Sequence, residues 1–401
     1  VYSPRLARLA AEPSPEAVDR FWSEVTATGT PLIEPSDDTR VLVTFLWRGE
    51  ARSTRAWWNI DVPLTRLPGT DLWYGTRAFP ADLRTIYCLV HDDTETLPND
   101  PVTTGATHLD PDNPQRMPFP ADPLDPSDSY HWASVLELPH APAEPWTTDR
   151  PGVTPGRLTT ASISSAALGN EYPVTVYRPA DVPAEPLPAL VVFDGYLAQT
   201  VLRLPTVLDN LIGAGRIPPM AALFIHTFDD RRERDLSPLP PIEHFVVDEL
   251  LPWARAGWHL GADTGRDMVT GASRGGLIAA YLALRRPDVF GAVIAQSGSF
   301  WWPEPDQGQP CWLIREVSRL PRSDVRFYLD VGTMETMPAP GGGPTQLSVC
   351  RQMRDALQEH GHHVTYAEFT GGHDYINWRR TLADGLLAVC AAPATSTIAS
   401  A

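Results

Sequence analysis

Short runs that mix apolar and polar positions with the two-residue period of strands occupy the first third of the chain. VLVTFLWRG, WYGTRAF and RTIYCLV are separated by Pro, Gly, Asp and Asn, the residues that terminate strands and shape turns. This grammar predicts a small antiparallel β-sandwich over residues 41–145. Inside it, residues 95–130 are crowded with Pro and Asp, which block ladder hydrogen bonds and favour an extended, turn-rich excursion. A second Pro-rich run, APAEPWTTDRPGVTPG at 141–156, reads as an interdomain linker. The expected division is an N-terminal domain over 1–145, a linker over 146–157, a catalytic domain over 158–395 and a disordered tail over 396–401.

After the linker the pattern becomes strand alternating with helix. VTVYRP, ALVVFDG, AALFIHTF, DMVTGAS, VIAQSGSF, VRFYLDVG and HVTYAEF read as strands. PTVLDNLIGAG, IEHFVVDELLPWARAGW, GGLIAAYLALRRP and LSVCRQMRDALQEHG read as helices, the last closed by Gly361. Such alternation predicts a mostly parallel sheet with helices on both faces.

The sharpest chemical signal sits inside that alternation. Gly271-Ala272-Ser273-Arg274-Gly275-Gly276 is a G-x-S-x-G between an apolar strand and a helix, the strained turn that lifts a nucleophilic hydroxyl above the sheet of an α/β hydrolase. Ser273 is the predicted nucleophile. In that fold the order is Ser, acid, His, and His373 in GGHD, just past the strand HVTYAEF, is the best placed of the eleven histidines to act as base. His91, His108, His131 and His140 lie in the other domain. The acid belongs between them in the chain, after VRFYLDVG, where Glu335 lies in the loop and Asp330 within the strand; Glu335 is preferred because a strand side chain usually points away from the loop. The oxyanion donors expected are the N–H of Arg274 and one at Gly195 or Tyr196, in the loop after ALVVF.

Bulk composition narrows the partners. With 32 basic against 49 acidic residues the net charge is -17, unfavourable for nucleic acid or an anionic membrane surface. All the basic residues are Arg, a bias from which no function is read. Cys88, Cys311, Cys350 and Cys390 show no C-x-x-C spacing, so neither a zinc site nor a disulfide framework is suggested. His360, His362 and His363 straddle a helix end and a strand start without a carboxylate or Cys cluster, so no metal is expected. No run approaches the ~20 apolar residues of a membrane span, and the amphipathic, interrupted N-terminus is no signal core, which together predict a cytoplasmic protein. The chain begins at Val1 rather than Met, which leaves a removed leader open.

Several segments together resemble the enterochelin esterase family. They are LVVFDG, GASRGG, AQSGSFWWP, GTMET and GGHDYINWRR in the C-terminal half, and PLIEP, VTFLWRG, RLPGTDLWY and DPLDPSDSYHWASVLELPHAPAEPW in the N-terminal half, so the likeness runs over about residues 15–390. The resemblance implies a β-sandwich recognition domain on a serine hydrolase that opens the lactone of a catecholate siderophore such as ferric enterobactin, releasing iron inside the cell. It implies Ser273 as nucleophile, His373 as base and Glu335 as acid, with no cofactor and with iron only as part of the substrate. Arg232 and Arg234 match an arginine-bearing loop and Trp301 and Trp302 a tryptophan pair, groups suited to an anionic, aromatic ligand. Arg274 departs from the pattern, since an apolar or aromatic residue is expected there; it is a further candidate for binding the substrate. Other readings of the same machinery are an esterase for feruloyl or carbohydrate esters, an acyltransferase, and a siderophore-binding protein with weak turnover. Monomer and homodimer both remain open.

Overall fold

The computed structural model describes residues 3–92, 106–180, 186–228, 231–261, 267–303, 308–339 and 342–391, and the tail expected at 396–401 lies outside them. The chain forms two compact units. The first takes in the chain up to Ala143 together with Gly332–Thr336 and Glu368–Asn377; the second takes in Glu144–Val331, Met337–Ala367 and the chain from Trp378 onward.

In the first unit the predicted strands form one antiparallel sheet. Its members are β1 (Leu32–Pro35), β2 (Arg40–Arg48), β3 (Thr54–Trp58), β4 (Asp61–Arg66), β5 (Leu72–Pro80), β6 (Arg84–His91), β7 (Thr107–His108), β8 (Arg116–Phe119) and β9 (His131–Glu137). The order is β1-β2-β5-β4-β3-β6-β9-β8, with β7 also paired to β6. β2 and β5 pair over their full length, from Arg40 opposite Pro80 to Arg48 opposite Leu72. Although β2 and β6 are not neighbours in this order, Phe45 meets Tyr87 edge-on at 5.0 Å. The sheet therefore folds over itself around Val43, Phe45, Val62, Leu64, Phe79, Leu83 and Leu89. Part of the Pro- and Asp-rich excursion forms β7 and β8, whereas residues 95–105 of it lie outside the described residues.

Two helices precede the sheet, α1 (Pro4–Ala11) and α2 (Pro15–Thr26). Ser3 and Ser14 cap them, each followed by a proline whose missing N–H costs nothing at a helix start. Val18, Phe21 and Val25 recur at i, i+3 and i+7 and pack with Leu6 and Leu9 onto Leu46 and Leu72.

The second unit holds an eight-stranded mixed sheet: β10 (Arg157–Ser165), β11 (Asn170–Arg178), β12 (Ala189–Val192), β13 (Ala221–Ile225), β14 (Asp267–Ala272), β15 (Phe290–Gln296), β16 (Arg326–Gly332) and β17 (His363–Phe369), in the order β10-β11-β13-β12-β14-β15-β16-β17. The β10–β11–β13 edge is antiparallel and β13-β12-β14-β15-β16 is parallel. The helices are α3 (Gly195–Thr200), α4 (Leu204–Gly213), α5 (Arg232–Asp235), α6 (Pro240–His244), α7 (Leu251–Trp258), α8 (Arg274–Arg285), α9 (Trp312–Val317), α10 (Gln346–Glu359) and α11 (Tyr375–Cys390). The central strands are buried along nearly their whole length and mostly apolar, because helices cover both faces. On one face Gly276 of α8 runs so close to the strands that an added Cβ would lie 3.1 Å from the carbonyl oxygens of Gly271 and Gln296. On the other, a Cβ at Gly385 of α11 would lie 2.8 Å from Ile294 and 3.0 Å from Tyr328.

Two features depart from the sequence reading. The stretch read as one helix over 242–258 carries a π-helical turn, Phe245–Leu250, between α6 and α7. β10 adds an edge strand whose alternation is too polar to stand out, RLTTASISS being mostly exposed. Within the stretch read as a linker, 146–157, the carbonyls of Trp146 and Thr148 accept from Asn210 of α4 at 2.8 Å, and the N–H of Gly156 donates to Asp209 at 2.8 Å.

Candidate active site

The turn after β14 has the strain that its sequence predicts. Ser273 sits at φ 57, ψ -117, a conformation few L-residues adopt, and it is pinned there by backbone bonds. Its N–H donates to the Gln296 carbonyl at 2.8 Å and its carbonyl accepts from Ser299 N–H at 2.9 Å. The glycines on either side are required by space, since a Cβ at Gly271 would lie 2.5 Å from the Gly275 carbonyl carbon and one at Gly275 3.2 Å from Phe193 Cβ. The Ser273 Oγ itself lies 3.3 Å from the hydroxyl of Ser299, which is 2 % exposed.

Two helix starts in the second unit carry the predicted backbone donors. Arg274 opens α8 and Gly195 and Tyr196 open α3, so their N–H groups belong to first helical turns and have no acceptor within the helix. The two helix starts are neighbours, because β12 and β14 are paired and Phe193 N–H donates to the Thr270 carbonyl at 3.1 Å. Asp194, in the left-handed region at φ 50, aims the chain into α3, and only glycine fits after it: a Cβ at Gly195 would lie 2.5 Å from the backbone of Phe224.

The arginine candidates are already engaged. Arg232 grips Asp194 with two parallel bonds, Nε to Oδ1 at 2.8 Å and Nη2 to Oδ2 at 2.7 Å, so it braces the turn that carries Gly195. Arg274 lies 4.1 Å above the Trp302 ring and bonds the carbonyl and the carboxylate of Glu233. Burial lowers its pKa, and the Glu233 carboxylate offsets only part of that. Arg234 points elsewhere, pairing with Asp235 at 2.8 Å. Trp301 donates its indole N–H to Gln346 Oε1 at 2.9 Å, and the Gln346 amide in turn bonds the carbonyls of Ser297 and Gly298, the loop that presents Ser299. Asp330 is fully buried in β16 and receives the N–H of Ser297.

His373 and Glu335 lie together in the first unit. Nδ1 of His373 is 2.6 Å from Oε2 of Glu335. A carboxylate only accepts, so Nδ1 carries a proton in this contact, and in the neutral ring the lone pair is then on Nε2. Glu335 is 5 % exposed, and its other oxygen accepts the Gly332 N–H at 2.7 Å. The two loops close backbone to backbone, with Thr333 N–H on the Phe369 carbonyl at 2.8 Å and Met334 N–H on the Gly371 carbonyl at 3.0 Å. Sequence reasoning left Asp194, Ser299, Gln346 and Asp374 without a role; Asp194, Ser299 and Asp374 lie in the quoted runs LVVFDG, AQSGSFWWP and GGHD, while Gln346 is recognisable only from its bonds. Among the described residues no cluster of three or more His, Cys, Asp or Glu could hold a metal ion, and no helix is long and apolar enough to cross a membrane.

Two family models match the chain, one described as "Putative esterase" over residues 165–389 and one as "Enterochelin esterase, N-terminal" over 42–147. The iron(III) enterobactin esterase of Dickeya dadantii is 34% identical over 93% of this chain and 93% of its own length. The enterobactin esterase from Shigella flexneri, solved in the presence of enterobactin, is 25% identical with a TM-score of 0.72 and coverage of 92% of this chain and 97% of that one. The ferric enterobactin esterase from Salmonella typhimurium gives 26% identity, a TM-score of 0.73 and coverage of 92% and 98%. With both models matched and the likeness running through nearly the full length of each protein, the chain belongs to the enterochelin esterase family.

Proposed function

We propose that this protein is a serine esterase that hydrolyses the ester bonds of a catecholate siderophore trilactone such as ferric enterobactin. The observation that carries the reading is the strained Ser273 turn in a chain whose family likeness spans both units. Ser273 is the nucleophile, His373 the base and Glu335 the acid, on a second unit of α/β-hydrolase type preceded by a β-sandwich. Nε2 of His373 takes the proton as Ser273 Oγ attacks the ester carbonyl, and Glu335 stabilises the imidazolium that results. The oxyanion is received by the N–H of Arg274 together with that of Gly195 or Tyr196. Collapse expels the serine hydroxyl of the substrate, protonated by His373, and leaves an acyl-enzyme that water cleaves by the reverse proton path. Nucleophile, base and oxyanion donors all come from the chain, so this chemistry calls for no cofactor, and iron enters only with the substrate. The Arg274–Trp302 pair, with Trp301, is assigned to the aromatic, anionic ligand, while Arg232 acts through Asp194. Arg234 remains a substrate-binding candidate from its place in the sequence. The four free cysteines suit a reducing setting, the cytoplasm.

The test is incubation of the protein and its Ser273→Ala variant with ferric enterobactin, with products followed by chromatography and mass. Linear trimer, dimer or monomer from the parent alone is expected. Cleavage of a simple aryl ester with the trilactone left intact would refute the siderophore assignment, and equal turnover by Ser273→Ala would refute the nucleophile.

A further inference from the structure

His373 stands between Gly372 and Asp374, and both neighbours are held by the antiparallel sheet of the first unit. Asp374 is 1 % exposed, yet its carboxylate receives four hydrogen bonds. Oδ2 accepts from Asn59 Nδ2 and from Thr85 Oγ1, each at 2.8 Å; Oδ1 accepts from the Asn377 N–H at 3.1 Å and from Asn377 Nδ2 at 2.8 Å. Asn377 Nδ2 also reaches the carbonyl of Arg84 in β6, at 2.9 Å. On the other side of the histidine, Gly372 lies so near Asn59 that an added Cβ would stand 2.3 Å from Asn59 Cβ. Asn59 is itself presented by a strained turn, since Trp58 has φ 133 and packs its ring against Phe119 at 6.2 Å.

Two consecutive glycines give the His373 loop little stiffness of its own. The Glu335 bond fixes the rotation of the imidazole but not the position of the backbone that carries it. We infer that Asn59 of the β3–β4 turn and Thr85 of β6, acting through the buried carboxyl group of Asp374, are positioning residues that set where the His373 imidazole stands. The N-terminal unit is then part of the catalytic apparatus as well as a candidate recognition module. Burial pushes the Asp374 carboxyl up to about 7, against the bonds from Thr85 and Asn377 that favour its charged form.

The inference rests on His373 being the base. Its test is steady-state hydrolysis of para-nitrophenyl acetate, an ester that needs the base but no siderophore contacts, by the parent, Ser273→Ala, Asn59→Ala, Asp374→Asn and the swap Asn59→Asp/Asp374→Asn. Asn59→Ala and Asp374→Asn are expected to lower kcat about 10- to 100-fold with KM changed by less than about twofold, the signature of a misplaced group rather than a lost binding contact. The swap exchanges which side chain carries the carboxylate, and is expected to recover at least about tenfold of the Asp374→Asn loss. Folded fraction is read in parallel by circular dichroism; if the swap does not fold, Asn59→Ala decides by the same kcat criterion. Parent-like kcat in the folded single variants, a loss that only follows the folded fraction, or a folded swap without recovery overturns the inference. Activity retained by Ser273→Ala would instead defeat the underlying esterase reading and is separable from all of these.

Discussion

Glu335 and Asp330 are both buried acids near the end of β16, and their contacts separate them. Glu335 meets the His373 ring at 2.6 Å, whereas Asp330 receives the N–H of Ser297. Replacing Glu335 by Gln keeps the shape but removes the negative charge and leaves one acceptor oxygen for two donors, His373 Nδ1–H and the Gly332 N–H, so kcat is expected to fall on the order of 10^3- to 10^4-fold. Asp330→Asn leaves the histidine bond intact and is expected to cost far less; kcat for the two variants measured side by side checks the assignment, and equal rates for Glu335→Gln and the parent would sink it. A second residue-level expectation concerns pH. His91 in β6 lies with its Nε2 2.8 Å from that of His108 and its ring 4.0 Å from Trp47, and burial, reinforced by His108, lowers its pKa to about 4. The unfolded chain therefore binds this proton near the ordinary 6.5 while the folded chain does not, so the protein loses stability as pH falls from about 6.5 to about 4. His91→Gln is expected to flatten that part of a plot of melting temperature against pH.

At the scale of elements, the loops after β16 and β17 are built around close backbone approach. A Cβ at Gly332 would lie 2.3 Å from the Gly371 carbonyl oxygen, which cannot move without breaking its bond to Met334. Gly332→Ala is expected to destabilise the protein by about 1–3 kcal/mol and to lower activity by displacing Glu335, as thermal melts and aryl-ester assays would reveal. Such tightness also explains what the sequence conveyed. G-x-S-x-G and GGHD were legible because a strained turn and a backbone contact demand glycine at fixed places. The strands β2, β5 and β6 and the helix α8 were legible because their apolar spacing is dictated by a buried face. β10 was not, because an edge strand needs little apolar alternation, and the π turn at Phe245–Leu250 was not, because one inserted residue leaves the apolar run intact. The bonds that hold Asp374 join residues 289 and 315 positions apart, beyond the reach of any local pattern.

For the whole molecule, sequence patterning anticipated an antiparallel portion followed by an alternating one. What it could not convey is that residues 332–336 and 368–377, lying far along the chain among the later strands, cluster with the early ones. The polypeptide passes from one unit to the other five times, at 143/144, 331/332, 336/337, 367/368 and 377/378. Each unit is therefore assembled from segments that are not contiguous in the chain. A break at residue 144 would yield an amino-terminal product lacking the strands of chain that bear Glu335 and His373, and a carboxy-terminal product in which those segments have lost Asn59, Thr85 and the rest of their framework. Neither product is expected to hydrolyse an aryl ester alone, and activity should return only when both are made together and reassemble. Exchanging the amino-terminal part for another is expected to remove Asn59 and Thr85, and with them two of the bonds that hold Asp374 beside His373.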